Sequence, residues 1–154
     1  MMERKMRSRP AFTAIELIVV LAIFVVAIAI TLPFLGKFQQ EETLTTVTQD
    51  IVQTLRRAQN KSMNGERGVA WGVALQEGAY IQFAGPSYSS GRIVRLDEKH
   101  TLQKTFTLYG PPEILFAKRT GYVGTEAVIT LQGPERGLSN ITVNAEGGIS
   151  YESL

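Results

Sequence analysis

Residues 8–35 read SRPAFTAIELIVVLAIFVVAIAITLPFL, and the reading of this stretch decides what the N-terminal part of the chain is. A basic leader ends at Pro10-Ala11, and an apolar run begins at Phe12. The run carries one carboxylate, Glu16, close to its start. From Leu17 to Leu35 the only polar side chain is Thr31. A run of that length is about what crossing a bilayer core requires, roughly 20 residues. Lys and Arg lie before it, so the positive-inside bias places the N-terminus in the cytoplasm and the C-terminal part outside. An acid inside such a segment is costly and marks a functional position.

Three processing routes fit these residues. Ala27-Ile28-Ala29 matches the small-residue site of a secretory signal peptide. An uncleaved signal anchor is the second. The third cuts before the apolar run, which then stays with the mature chain.

The chain has 154 residues and a formal net charge of +2. The leader 1–11 holds Arg4, Lys5, Arg7 and Arg9 against Glu3, so the remainder is close to neutral. A near-neutral mature chain offers little electrostatic attraction to nucleic acid. There is no cysteine, so neither a disulfide framework nor a thiolate metal site is expected. No cofactor is expected either.

Beyond the apolar run, Phe34, Phe38, Leu44, Val47, Ile51, Leu55 and Ala58 step by three, four or a few residues more, which predicts an amphipathic helix with one apolar stripe. Asn64-Gly65 supplies a stop. A helix from Phe12 to Met63 at ~1.5 Å per residue would be roughly 78 Å long, with a bend at Pro33. After Gly65 the pattern turns to strands. Segments 69–75, 79–84, 93–96, 104–109, 113–116, 127–131, 140–144 and 149–151 read as strands, the last three as a meander of antiparallel hairpins. Pro111-Pro112 breaks the chain between two of them.

The residues Ala11-Phe12-Thr13-Ala14-Ile15-Glu16-Leu17 and the apolar run after them resemble the leader and N-terminal helix of type IV pilins and type II secretion pseudopilins. The resemblance covers about 25 residues. Ala11 stands where the family usually has Gly. Weaker likenesses to the GspH/FimT minor pseudopilins lie in Leu55-Arg56-Arg57-Ala58-Gln59, Gly68-Val69 and Ile141-Thr142-Val143-Asn144-Ala145-Glu146-Gly147-Gly148. The resemblance implies cleavage by a prepilin peptidase between Ala11 and Phe12, with methylation of the new Phe12 amine. It implies that Glu16 meets the terminal amine of a neighbouring subunit during assembly. Pro33 falls where many members carry a helix-bending proline. The partners implied are other pilins or pseudopilins, the peptidase and a secretion or pilus assembly platform.

These readings give an α+β fold: a long N-terminal helix, membrane-spanning in its first half and amphipathic in its second, packed on an antiparallel β-sheet domain. The divisions are a leader 1–11, an assembly helix 12–35, an amphipathic half 36–64 and a β-rich domain 65–154. The function expected is that of a structural subunit, a minor pseudopilin, held in the inner membrane as a single-pass protein and then moved into a pseudopilus or pilus. The alternatives are a DNA-uptake or ligand-binding minor pilin, and a membrane-anchored domain unrelated to fibres.

No enzyme is expected. His100, the single histidine, sits in the polar stretch Asp97-Glu98-Lys99-His100-Thr101 and reads as solvated loop. Asn64-Gly65-Glu66-Arg67-Gly68 lacks the Lys and Ser/Thr of a phosphate loop. The basic groups available to DNA are Arg92 with Arg95 and Lys118 with Arg119, each with acids near in sequence or no basic arm beyond. Asn60-Lys61-Ser62 and Asn140-Ile141-Thr142 match a glycosylation triplet that is too short to weigh.

Overall fold

The computed structural model describes residues 13–134 and 137–153, and for residues 29–42 it describes the backbone alone. The chain divides into two compact units, up to Gln39 and from Gln40 onward.

Helix α1 has the bounds Ala14–Met63. Its start is set by Thr13, whose side-chain oxygen accepts a hydrogen bond from the Glu16 backbone N–H at 3.3 Å. Thr-x-x-Glu is the sequence form of a helix N-terminal cap. Its end is set by Gly65, which takes a left-handed φ of 63° and donates its N–H to the Ser62 carbonyl at 3.0 Å. Glycine occupies that conformation without the clash a Cβ would bring.

Among the described residues of the second unit, eight strands form two antiparallel sheets. They are β1 Trp71–Gln76, β2 Ala79–Ala84, β3 Glu98–Thr101, β4 Thr107–Tyr109, β5 Glu113–Phe116, β6 Ala127–Gln132, β7 Leu138–Val143 and β8 Ile149–Ser153. One sheet has the order β3-β2-β1-β5 and the other β4-β6-β7-β8. Strand β4 belongs to the second sheet and β5 to the first, so Gly110-Pro111-Pro112 carries the chain from one sheet to the other. Proline lacks the N–H a ladder needs, which suits it to a crossing.

The described part of α1 that packs is short. Leu44, Thr48, Ile51, Val52, Leu55, Ala58 and Ser62 are buried, a stripe at helical spacing. It shares one core with Trp71, Val73, Ile114 and Phe116 of the first sheet and Ile129, Leu131, Ile141 and Val143 of the second. Full burial of a Leu or Ile side chain is worth roughly 1.5–3 kcal/mol. Strand β6 alternates buried and exposed or half-buried positions, and β7 keeps the same period of two. Strand β2 is buried at every position, Ala79–Ala84. Its Tyr80 and Ala84 join the shared core, while Phe83 on the opposite face lies under the loop 85–97, with Tyr88 edge-on to its ring at 5.6 Å. Phe83 also lies across Gly72, where a Cβ would come within 2.9 Å of the ring and 2.6 Å of the Ile114 carbonyl oxygen.

The last turn of α1 is tied to this framework by polar atoms. The Ser62 hydroxyl donates to the Phe116 carbonyl at 2.8 Å and accepts from the Trp71 N–H at 2.7 Å. Ser62 therefore bridges β1 and β5 at their paired ends, where Trp71 faces Phe116 in the register. One turn earlier, Gln59 Nε2 donates to the carbonyls of Gly147 at 2.8 Å and Gly121 at 3.2 Å.

Three expectations are corrected. The expected fold, a long helix with a membrane-spanning half packed on an antiparallel β-sheet domain, gives way to a helical segment from Leu44 to Ala58 that shares its core with two four-stranded sheets among the described residues. Among the described residues no helix is long and apolar enough to cross a membrane. The membrane-spanning half, the transmembrane character and the single-pass inner-membrane placement fall with that finding. Finally, 93–96 is a turn of 3₁₀ helix at Val94–Leu96, and the strand lies one step later, in β3.

Ser62→Ala is expected to lower stability by about 1–3 kcal/mol, because the buried Trp71 N–H and Phe116 carbonyl lose their partner. Urea unfolding of the full chain measures it; an unchanged midpoint would contradict the bridging role.

Candidate functional site

The first described residues, Thr13 to Ile28, are exposed at every position. Eleven of them are large and apolar: Ile15, Leu17, Ile18, Val19, Val20, Leu21, Ile23, Phe24, Val25, Val26 and Ile28, with exposures from 44% at Val20 to 72% at Ile15. Consecutive residues on a helix point about 100° apart, so this run presents apolar surface around its whole circumference. A helix that is apolar all round is one that functions covered. Monomeric proteins seldom leave contiguous apolar patches beyond a few hundred Å².

Glu16 is exposed on the first turn of α1, inside this apolar surface. It occupies the third position after the Thr13 cap. A carboxylate there also interacts favourably with the positive end of the helix dipole. Thr13 is the residue that sequence reasoning missed, although the Thr13-Ala14-Ile15-Glu16 pattern carries the signal. Ala11 and Phe12, the cleavage and methylation positions, lie outside the described residues. Pro33 falls within α1, in the segment whose side chains lie outside the described residues.

The remaining candidates are dispersed. His100 is on β3 rather than in a loop. Its ring stacks on Tyr80 at 4.9 Å and an interplanar angle of 4°, and its Nε2 lies 3.5 Å from Glu98. Burial holds the Tyr80 hydroxyl above the usual tyrosine pKa, with the nearby charge of Asp50 adding to the effect. Arg92 is engaged by its own loop: Nε donates to Asp97 at 3.0 Å, another nitrogen donates to the Tyr88 carbonyl, and the guanidinium lies 4.0 Å over the Tyr88 ring. It is not a free cation for a phosphate backbone. Lys118 and Arg119 are exposed, and Lys118 lies across the turn Gly65–Gly68.

A cleft of about 510 Å³ opens beside the β1–β2 turn and β4, lined by Leu75, Phe106, Leu108 and Pro112 with Glu77 and Lys104. Among the described residues no three His, Asp or Glu side chains gather as metal ligands.

Gln59 of the helix end reaches Gly147 of the β7–β8 turn, and the nearby Ser62 reaches Trp71. No family model, no curated protein and no solved structure matches the chain.

Thr13→Ala is expected to speed amide exchange in the first turn of α1, at Ile15 and Glu16, by about fivefold, equivalent to a cap worth ~1 kcal/mol. Unchanged exchange there would show that Thr13 does not cap the helix.

Proposed function

We infer that this chain is a structural subunit of a helical, pilin-like fibre, and that its work is assembly. The observation that carries this is the apolar circumference of residues 15–28 with one exposed acid at its head. Such a surface needs a cover, and other copies of the same helix provide one of matching length and chemistry. Leu, Ile, Val and Phe side chains pack between helices as ridges into grooves. Apolar packing alone tolerates sliding, because one turn of such a helix is much like the next.

Glu16 removes that degeneracy. A carboxylate enclosed among apolar helices is unfavourable unless a cation meets it. A free amine at Phe12, four residues earlier in the sequence, provides that cation on a neighbouring subunit. The pairing fixes the axial position of each new subunit. Under this reading a prepilin peptidase cuts between Ala11 and Phe12 and the amine keeps its charge when methylated. Ala11 adds a Cβ where the family has Gly, so cleavage proceeds more slowly. The β domain then presents its surfaces to other subunits.

Two measurements test the reading. Mass spectrometry of the chain expressed with a prepilin peptidase is expected to find a start at methylated Phe12; a start at Ile30 would contradict it. Glu16→Ala is expected to be cleaved normally yet to fall at least tenfold in sedimentable assemblies, the equivalent of 1.4 kcal/mol or more. Wild-type incorporation of that variant would sink the role given to Glu16.

A further inference from the structure

Among the described residues only two that are not glycine have positive φ, and both are arginines: Arg67 at 57° and Arg119 at 72°. A long side chain is unfavourable in the left-handed region, where Gly or Asn is the ordinary choice. Strain of this kind persists where the side chain is needed. The two arginines lie on different loops that meet at the same place, the C-terminal end of α1. Arg67 sits in the turn Glu66–Gly68 that follows the helix. Arg119 donates its backbone N–H to the Ser62 carbonyl at 2.9 Å. Lys118 completes the set, with Nζ 3.8 Å from the place a Cβ on Gly68 would occupy.

All three cations are exposed, and among the described residues none has a carboxylate within ion-pair distance. Beside them are two exposed side chains of another kind. Met63 is 47% exposed and packs against Gly121; Tyr122 is 54% exposed. Glu66 is the one acid in the turn, and Lys61 is turned away over the Trp71 ring at 4.4 Å. Arg, Tyr and Met are the residues enriched at protein interfaces, and Arg and Tyr dominate their binding energy.

The platform is rigid. Trp71 Nε1 donates to the Glu66 carbonyl at 3.1 Å, Gly68 N–H closes on Gly65 at 2.9 Å, and Gln59 holds Gly121 at 3.2 Å. Loops fixed before binding lose little freedom on binding.

The geometry points to this end of the domain as a docking surface for an acidic segment of a partner protein. Carboxylates of that segment meet Arg67, Lys118 and Arg119, and its apolar side chains cover Met63 and Tyr122. The inference is independent of the assembly reading, since it uses none of the residues 11–28 on which that reading rests.

The test uses the full chain and three probes: fluorescent poly-L-glutamate, a poly-L-glutamate with leucine interspersed, and a DNA strand of equal charge. Both peptides are expected to bind, the leucine-containing one about threefold more tightly, and the DNA more weakly than either. Lys118→Glu with Arg119→Glu is expected to weaken peptide binding at least tenfold. Arg67→Gly and Arg119→Gly separate the strain from the fold. Each is expected to raise the melting temperature by about 2 °C while weakening binding about threefold. Peptide binding unaffected by these changes would overturn the proposal. So would tighter binding of DNA, which would make the surface a nucleic-acid site, and so would a fall in melting temperature in the glycine variants, which would make the arginines structural.

Discussion

The second unit depends on how the last turn of α1 is held. A helix end leaves carbonyls without partners, and a strand pair leaves N–H and C=O groups at its margins. Ser62 answers both at one buried point, bonding the Trp71 N–H and the Phe116 carbonyl while its own carbonyl takes the N–H of Arg119. Gln59 repeats the device one turn back, toward Gly121 and Gly147. Apolar burial brings the helix to the sheets, but it is not directional. These few polar bonds choose the register in which the stripe from Leu44 to Ser62 sits.

Other features follow from that fixed point. The turn after the helix can hold Arg67 in an unfavourable conformation because Trp71 anchors the Glu66 carbonyl. Gly121 can approach Met63 closely because it has no side chain; a Cβ there would stand 2.7 Å from Met63 Cγ. The first unit is different in kind. Its described side chains are exposed from Thr13 to Ile28, and a Thr13 cap with Glu16 behind it stands at its start.

Much of the β region was legible, and for a clear reason. Strands β2 and β5 are bounded by turn residues on both sides and coincide with the segments read from sequence. The closing meander β6-β7-β8 was legible from its period of two and its Gly-rich turns. The partition into two sheets was not. Alternation says which residues are buried, but not which sheet buries them, and nothing local marks Gly110-Pro111-Pro112 as a crossing rather than a turn. Strand β3 was missed because Glu98-Lys99-His100-Thr101 is polar; it is an edge strand, and edge strands carry charge to discourage pairing with other chains. The patch at Arg67 and Arg119 was invisible because backbone strain and the meeting of two loops are properties of the fold alone. In the N-terminal unit the run from Ile15 was legible as apolar, while its expected passage through a membrane was not what the described residues support.

The claim that matters most is that the apolar helix is covered by copies of itself. The direct measurement is photocrosslinking of the assembled full chain with a diazirine side chain at Phe24, followed by peptide mapping. The account predicts adducts of two chains joined within residues 13–28 of each. Adducts confined to one chain, or joined only to the β domain of another, would contradict it.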